Sequence, residues 1–374
     1  MQFLANEQQA MIQGGVRKFA EGTLKAGAGA RDVAGTTAPE VIKQLAELGV
    51  FGLTVAEADG GLGLDRVALA LALEELAAAD AGLALVVLQH VALSIGHMQA
   101  VDLLPEHRGW LTYMAGGGAP CVWAHGEDAL HRDADTVTLR AVRDGDGWVL
   151  NGVKRNVFAA GVADVAIVTA QSAEGLSAFG VMFSHAGVSR QRTSEPLGLR
   201  SAGIADIVFD NVRLSASGLF GVAGQAQTAV AAAQRLARLG VAAIALGVAR
   251  EALRLAGRYA NDRVQFGKPI ATFQPIQWQV ANSAVEIDAA RLLLHRAAWA
   301  MDHTKNADAQ LAMARLTATE TATRVADRAI QLHGGYGYTR EFTVERLYRD
   351  AWTLDSLWGS PGLQRVQLAR SLAS

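Results

Sequence analysis

Arg263-Val264-Gln265-Phe266-Gly267-Lys268-Pro269-Ile270 and, further along, Gln331-Leu332-His333-Gly334-Gly335-Tyr336-Gly337-Tyr338 are the stretches on which the reading of this chain turns. The first closes a long helical run, and Pro269 must stop or kink whatever precedes it. The second sets three glycines behind a helix. Backbone without Cβ comes close to a phosphate or a ring there and offers peptide N–H groups as donors. Read singly, each is first of all a helix stop.

The flanking sequence sorts by texture. Residues 225–374 are rich in Ala, Leu, Arg and Gln, with runs between breakers long enough for helices of about 20 residues or more. Residues 1–119 place apolar side chains at helical spacing, as in Val41, Leu45 and Leu48, interrupted by Glu57–Asp65, where three glycines turn the chain. Between 120 and 221 the runs are short and β-prone: Thr136–Leu139, Trp148–Leu150, Val165–Thr169 and Ala205–Phe209, with Asp144-Gly145-Asp146-Gly147 as a hairpin loop. The fold class expected is mostly α with a central β domain: a helical domain over 1–119, a β domain over 120–221 and a helical bundle over 225–374. This is not the strand–helix alternation of a dinucleotide-binding sheet, and no GxGxxG follows a strand.

Composition narrows the function classes. The 374 residues are 51% hydrophobic, ample for a buried core. Thirty-four Lys plus Arg against 36 Asp plus Glu leave a net charge of −2, so no basic field awaits nucleic acid. A single cysteine, Cys121, excludes an intramolecular disulfide framework and a Cys-rich zinc site. The longest strictly apolar runs, such as Leu239–Ala249, fall short of the ~20 residues that span a bilayer. The N-terminus meets Glu7 before any long apolar stretch, unlike a secretory signal, and a soluble cytoplasmic protein is expected. His125, His131 and His333 lack the i, i+4 pairing and neighbouring carboxylate of a metal site; structural or surface roles are expected, and no metal. Trp278, Trp299 and Trp352 read as packing.

Arg263-x-x-Phe266-Gly267, Phe273-Gln274, Gln331-x-x-Gly334-Gly335-x-Gly337 and Val344-Glu345-Arg346-x-x-Arg349-Asp350-Ala351 occur in the order and spacing of the acyl-CoA dehydrogenase family, which the chain resembles. Leu48–Leu53 with Gly60-Gly61-Leu62-Gly63, Asp144–Lys154 and Phe209-Asp210-Asn211-Val212-Arg213 extend the resemblance over essentially the whole chain. It implies an N-terminal helical domain, a β-barrel-like middle domain, a C-terminal four-helix bundle, bound FAD, an acyl-CoA substrate, electron-transfer flavoprotein as acceptor and tetrameric assembly. It further implies that the flavin lies across a subunit interface, its adenosine diphosphate portion gripped by the neighbour's Arg263, Gln265, Phe266, Gln274, Gln331, Gly334 and Gly335.

The family's chemistry needs a carboxylate to remove the acyl α-proton. The position that usually carries it is Trp358, in Trp358-Gly359-Ser360-Pro361-Gly362-Leu363-Gln364-Arg365, and the alternative, just before Arg238, is Ala237. Neither takes a proton, so no catalytic residue is assigned. The ring contacts depart too. The family's Thr-Glu-Pro-x-Ala-Gly-Ser-Asp reads Gly126–Asp133, with Gly126 for Thr and Arg132 for Ser, and its Trp-Ile-Thr reads Asn156-Val157-Phe158. Arg235 stands where some members have a substrate-binding Asp.

The grip on a neighbour's dinucleotide survives while the home ring site does not. The resemblance therefore implies the non-catalytic subunit of a heteromeric, α2β2 acyl-CoA dehydrogenase, with a homologous subunit as partner. The alternatives are a self-sufficient homotetramer with a relocated base, for which Asp355 and Glu127 are the candidates, a flavin-dependent oxygenase or oxidase, and a flavin-free structural paralogue. A bulky acyl group, such as a steroid side chain or an aromatic ring, is compatible with the resemblance.

Overall fold

The computed structural model describes residues 5–127 and 137–373. His131, Arg132 and Thr136 lie outside them. Seven helices come first: α1 (Glu7–Phe19), α2 (Lys25–Ala34), α3 (Pro39–Glu47), α4 (Arg66–Ala79), α5 (Ala81–Leu88), α6 (Gly96–Gln99) and α7 (Pro105–Ala115). Their starts are written locally. Asn6 and Gln9 form a reciprocal capping box on α1, and Asp65 and Asp80 accept first-turn amides of α4 and α5. A π-helical stretch, Gln89–Ile95, joins α5 to α6.

An eight-stranded sheet follows: β1 (Cys121–Ala124), β2 (Arg140–Asp144), β3 (Gly147–Val157), β4 (Val165–Ser172), β5 (Gly175–Met182), β6 (Val188–Gln191), β7 (Ala205–Leu214) and β8 (Leu219–Phe220). Its order is β6-β7-β3-β2-β4-β5-β8, with β1 parallel to β4. Asp144 pairs with Gly147 around the expected hairpin, Gly145 supplying the positive φ of 64°. The strand read over 136–139 is not formed at 137–139. Physically, the Thr138 and Leu139 amides are claimed by the Glu127 carboxylate instead of a ladder partner.

The C-terminal part holds α8 (Gln227–Asp262), the two-residue strands β9 (Val264–Gln265) and β10 (Lys268–Pro269), α9 (Gln274–His303), α10 (Asp308–His333), α11 (Val344–Ser356) and α12 (Pro361–Ala373). α8 stops at Asp262, before Pro269 could act on it, because the chain turns into a hairpin with Phe266 and Gly267 at φ 54° and 76°. α8 is the central element, packed on α4, α9 and α10. Residues 81–99 and α8 are long and apolar enough to cross a membrane, although polar residues interrupt both before an unbroken apolar run reaches that length. They are mostly buried in the protein, as core helices are.

Buried charge ties the helices together. Glu75 on α4 accepts from Arg17 of α1 and doubly from Arg250 of α8, and Glu74 accepts from Arg291 of α9. A second clamp joins the β part to α11: Gly198 N–H donates to Thr353 Oγ1 at 2.8 Å and Leu199 N–H to Asp350 Oδ1 at 2.6 Å. A Cβ on Gly198 would sit 2.4 Å from the Arg349 backbone, so only glycine allows this approach.

Burial pushes the Asp350 carboxyl up to about 7, against the opposing pull of the Leu199 amide, Arg346 and Arg349, with Asp32 adding to the rise. A carboxyl raised above its unfolded value stabilises fully below that value, near pH 4, and loses the contribution as pH rises through 7. Asp350→Asn is therefore expected to flatten the fall in melting temperature between pH 5 and 8; a slope equal to that of the parent would refute this.

Candidate functional site

The two glycine-bearing segments meet. The end of α8 and the hairpin after it carry Tyr259, Arg263, Gln265 and Ile270; the end of α10 and the 3₁₀ turn after it carry Gln331, His333, Gly334, Gly335 and Tyr336. Together with Leu332 and Thr339 they line an open cavity of about 460 Å³. Arg263, Gln265 and Gln331 are exposed at its mouth. Gly334 has φ 56° and ψ −139°, a conformation restricted to glycine, and a Cβ at Gly334 or Gly335 would project into open space. A guanidinium, two amides and backbone free of side chains around one hollow suit an anionic, planar dinucleotide portion.

Of the residues read from the sequence, Arg263, Gln265, Gln331, Gly334 and Gly335 are brought together here. Phe266 and Gln274 are not in the lining; Phe266, 93% exposed at the hairpin tip, meets Phe273 edge-on. Tyr259 and His333 were not foreseen as a pair. Their rings stack at 4.3 Å, and burial holds the His333 pKa below its ordinary value. Neutral His333 donates from Nδ1 to the Ala329 carbonyl at 2.7 Å. No spacing rule links residues 74 positions apart across two helices, so only the fold exposes this contact.

The second candidate region gathers the base positions. Ala237 is fully buried on α8, in a small apolar cluster with Trp123, Ile167, Val230 and Ala233, and half-buried Trp358 packs on both this cluster and the larger core. Trp358 and Gly359 have φ 46° and 110°, a strained turn for an indole-bearing residue. Arg315 of α10, 1% exposed, holds that turn by donating to the carbonyls of Leu354, Leu357 and Gly359 at 3.1, 2.6 and 3.1 Å. Burial lowers its pKa to about 10, partly opposed by Asp355. Asp355 Oδ1 is buried and takes no hydrogen bond.

Glu127 is not available as a base. Its Oε1 lies 2.7 Å from Lys154 Nζ, whose side chain is wholly buried, and accepts the Leu139 amide at 2.8 Å, while Oε2 takes the Thr138 amide and hydroxyl. Burial would raise its pKa, but Lys154 and these donors outweigh that and hold it below the ordinary range. Arg235 is likewise committed, bonded through Nε and Nη2 to Asp308 at 3.0 Å each. Phe158, 7% exposed, is packed in the large core, its carbonyl accepting from Gln89 at 3.0 Å, and Gly126 is exposed with open space beside its Cα. Among the described residues no group of three His, Cys, Asp or Glu is arranged to hold a metal.

Comparison with known proteins covers nearly the whole chain. Residues 6–101, 125–212 and 228–373 match the families described as acyl-CoA dehydrogenase N-terminal, middle and C-terminal domains. The chain is 33% identical over 378 residues to the probable acyl-CoA dehydrogenase YngJ of Bacillus subtilis, covering 100% of both. Among solved structures it is similar to butyryl-CoA dehydrogenase from Megasphaera elsdenii, with a TM-score of 0.96, 30% identity and 100% of each chain covered. It is also similar to a glutaryl-CoA dehydrogenase from Mycobacterium smegmatis in complex with FADH2, with a TM-score of 0.92, 28% identity and 98% and 95% of the chains covered.

Proposed function

This chain belongs to the acyl-CoA dehydrogenase family, and on that premise we propose that it is the subunit of an FAD-dependent, heteromeric acyl-CoA dehydrogenase that completes a homologous partner's flavin site. The complex desaturates an acyl-CoA thioester between its α and β carbons and passes the electrons to electron-transfer flavoprotein. Bound FAD supplies the acceptor for the β-hydride; the proton acceptor comes from the partner.

One contrast carries the reading: the outward cavity keeps its guanidinium and bare backbone, whereas both base positions are filled by Trp358 and Ala237 and Glu127 is locked to Lys154. Arg263 would pair with the pyrophosphate, whose charge and forked geometry a guanidinium matches, and Gly334 and Gly335 would let the dinucleotide lie against peptide groups. Tyr259 and neutral His333 offer an aromatic wall beside it.

The buried oxygen of Asp355, three residues before Trp358 and without a hydrogen bond, supports a second reading, a self-sufficient homotetramer with a relocated base. Stoichiometry separates the two. Purified alone, the chain is expected to hold no flavin and to turn over no acyl-CoA. Co-purified with a same-family protein encoded beside it, it is expected to yield one flavin for each pair of unlike chains. A full complement of FAD and turnover in the chain alone would sink the proposal and establish the second reading.

A further inference from the structure

A second hollow, of about 280 Å³, opens where α2, the end of α4, α8 and the start of α11 come together. No residue lines both it and the outward cavity, although Thr339 of one and Arg340 of the other are neighbours in the chain. Its charged lining is Lys25, Asp32, Glu251, Arg340, Glu345 and Arg346. Ala78, Ala79, Leu255 and the exposed Val33 make an apolar part of the wall.

The charges there do not cancel. Glu251 accepts from both Nε and Nη2 of Arg254, at 2.7 and 2.8 Å, and lies 2.8 Å from Lys25 Nζ. Asp32 and Glu345 share Arg349, at 2.7 Å each. Three carboxylates thus meet three cations, and Arg340 and Arg346 are left over. Neither makes an ion pair or a hydrogen bond among the described residues. The buried Asp350, four residues on, feels the charge of Arg346, but its carboxyl accepts the Leu199 amide and does not line the hollow. Arg346 reaches over to α2, its Nη1 lying 3.5 Å from where a Cβ on Gly29 would stand. Thr343, also in the lining, sits at the N-cap of α11 with its side chain making no capping hydrogen bond.

Two unpaired guanidiniums and a hydroxyl in one hollow match an oxyanion carrying about two charges and several acceptor oxygens, which a phosphate monoester supplies. The volume lies just below the roughly 300–1,000 Å³ of ordinary ligand pockets, so the ligand is compact. We propose that this hollow binds a small phosphate monoester, its oxygens taken by Arg340 and Arg346 and its short carbon chain lying along Ala79 and Leu255. The site involves neither flavin nor thioester, so it stands or falls apart from the function proposed above.

Calorimetric titration of the full-length chain at pH 8 and constant ionic strength compares propyl phosphate, inorganic phosphate and 1-propanol. Propyl phosphate is expected to bind once per chain, roughly 10-fold more tightly than inorganic phosphate, because buried methylenes add to the same charged contacts. The alcohol should not bind. Arg340→Gln and Arg346→Gln should each weaken propyl phosphate roughly 10-fold or more, the loss of a charge-assisted hydrogen bond. Arg340 is exposed, so its variant should melt with the parent and guards against misfolding of the other. No binding of propyl phosphate, equal binding of propyl and inorganic phosphate, or undiminished binding in Arg340→Gln would overturn the site.

Discussion

Glu127→Gln is expected to lower the melting temperature by several degrees, more than any surface substitution of this chain. The Lys154 side chain is 0% exposed and, among the described residues, its ammonium has a single anionic partner at 2.7 Å, with further contacts to the His125 carbonyl at 2.6 Å and Thr169 Oγ1 at 3.4 Å. Removing one member of a buried pair strands the other's charge, which costs about 3–5 kcal/mol. Lys154→Met should be similarly damaging, since it leaves the carboxylate at the Thr138 and Leu139 amides without its cation. The double variant Glu127→Gln/Lys154→Met should recover much of the loss, because no stranded charge remains. Calorimetric melting of the four proteins checks this; additive losses would show that the pair is not coupled.

The second large effect concerns the outward cavity. Arg263→Ala, in the complex with the homologous partner, should weaken flavin retention by roughly 10- to 100-fold, the worth of a charge-assisted bond at about 1.5–3 kcal/mol. Arg263→Lys keeps the charge but not the planar fork and should fall between. The measurement is flavin remaining per complex after dilution and gel filtration. Arg263 is exposed and makes no ion pair among the described residues, so the substitution leaves the fold alone and isolates binding. Undiminished retention would place the cofactor's phosphates elsewhere.

What the sequence revealed depended on how local the signal was. The Asp144–Gly147 hairpin is written in four consecutive residues, and the helical runs in spacing along a single element. The cavity was legible in five lining residues because their motifs are short and ordered, though Phe266, inside the same motif, turned outward at the hairpin tip. Thr138 and Leu139 were misread as strand since nothing nearby announces that a carboxylate 11 positions upstream will take their amides. Arg346 lies inside a motif read from the sequence, yet nothing there marks it as unpaired; that shows only once the partners of its neighbours are visible. Arg315 left one trace, a charge on the Ala-rich face of α10.

Arg315 grips the 354–359 turn entirely by its carbonyl oxygens and touches no side chain there by hydrogen bond. A scaffold held in this way is blind to what it displays. Residue 358 can be exchanged over evolutionary time while the loop keeps its course, so chemistry at that spot is free to lapse in one lineage and return in another without the surrounding architecture being rebuilt.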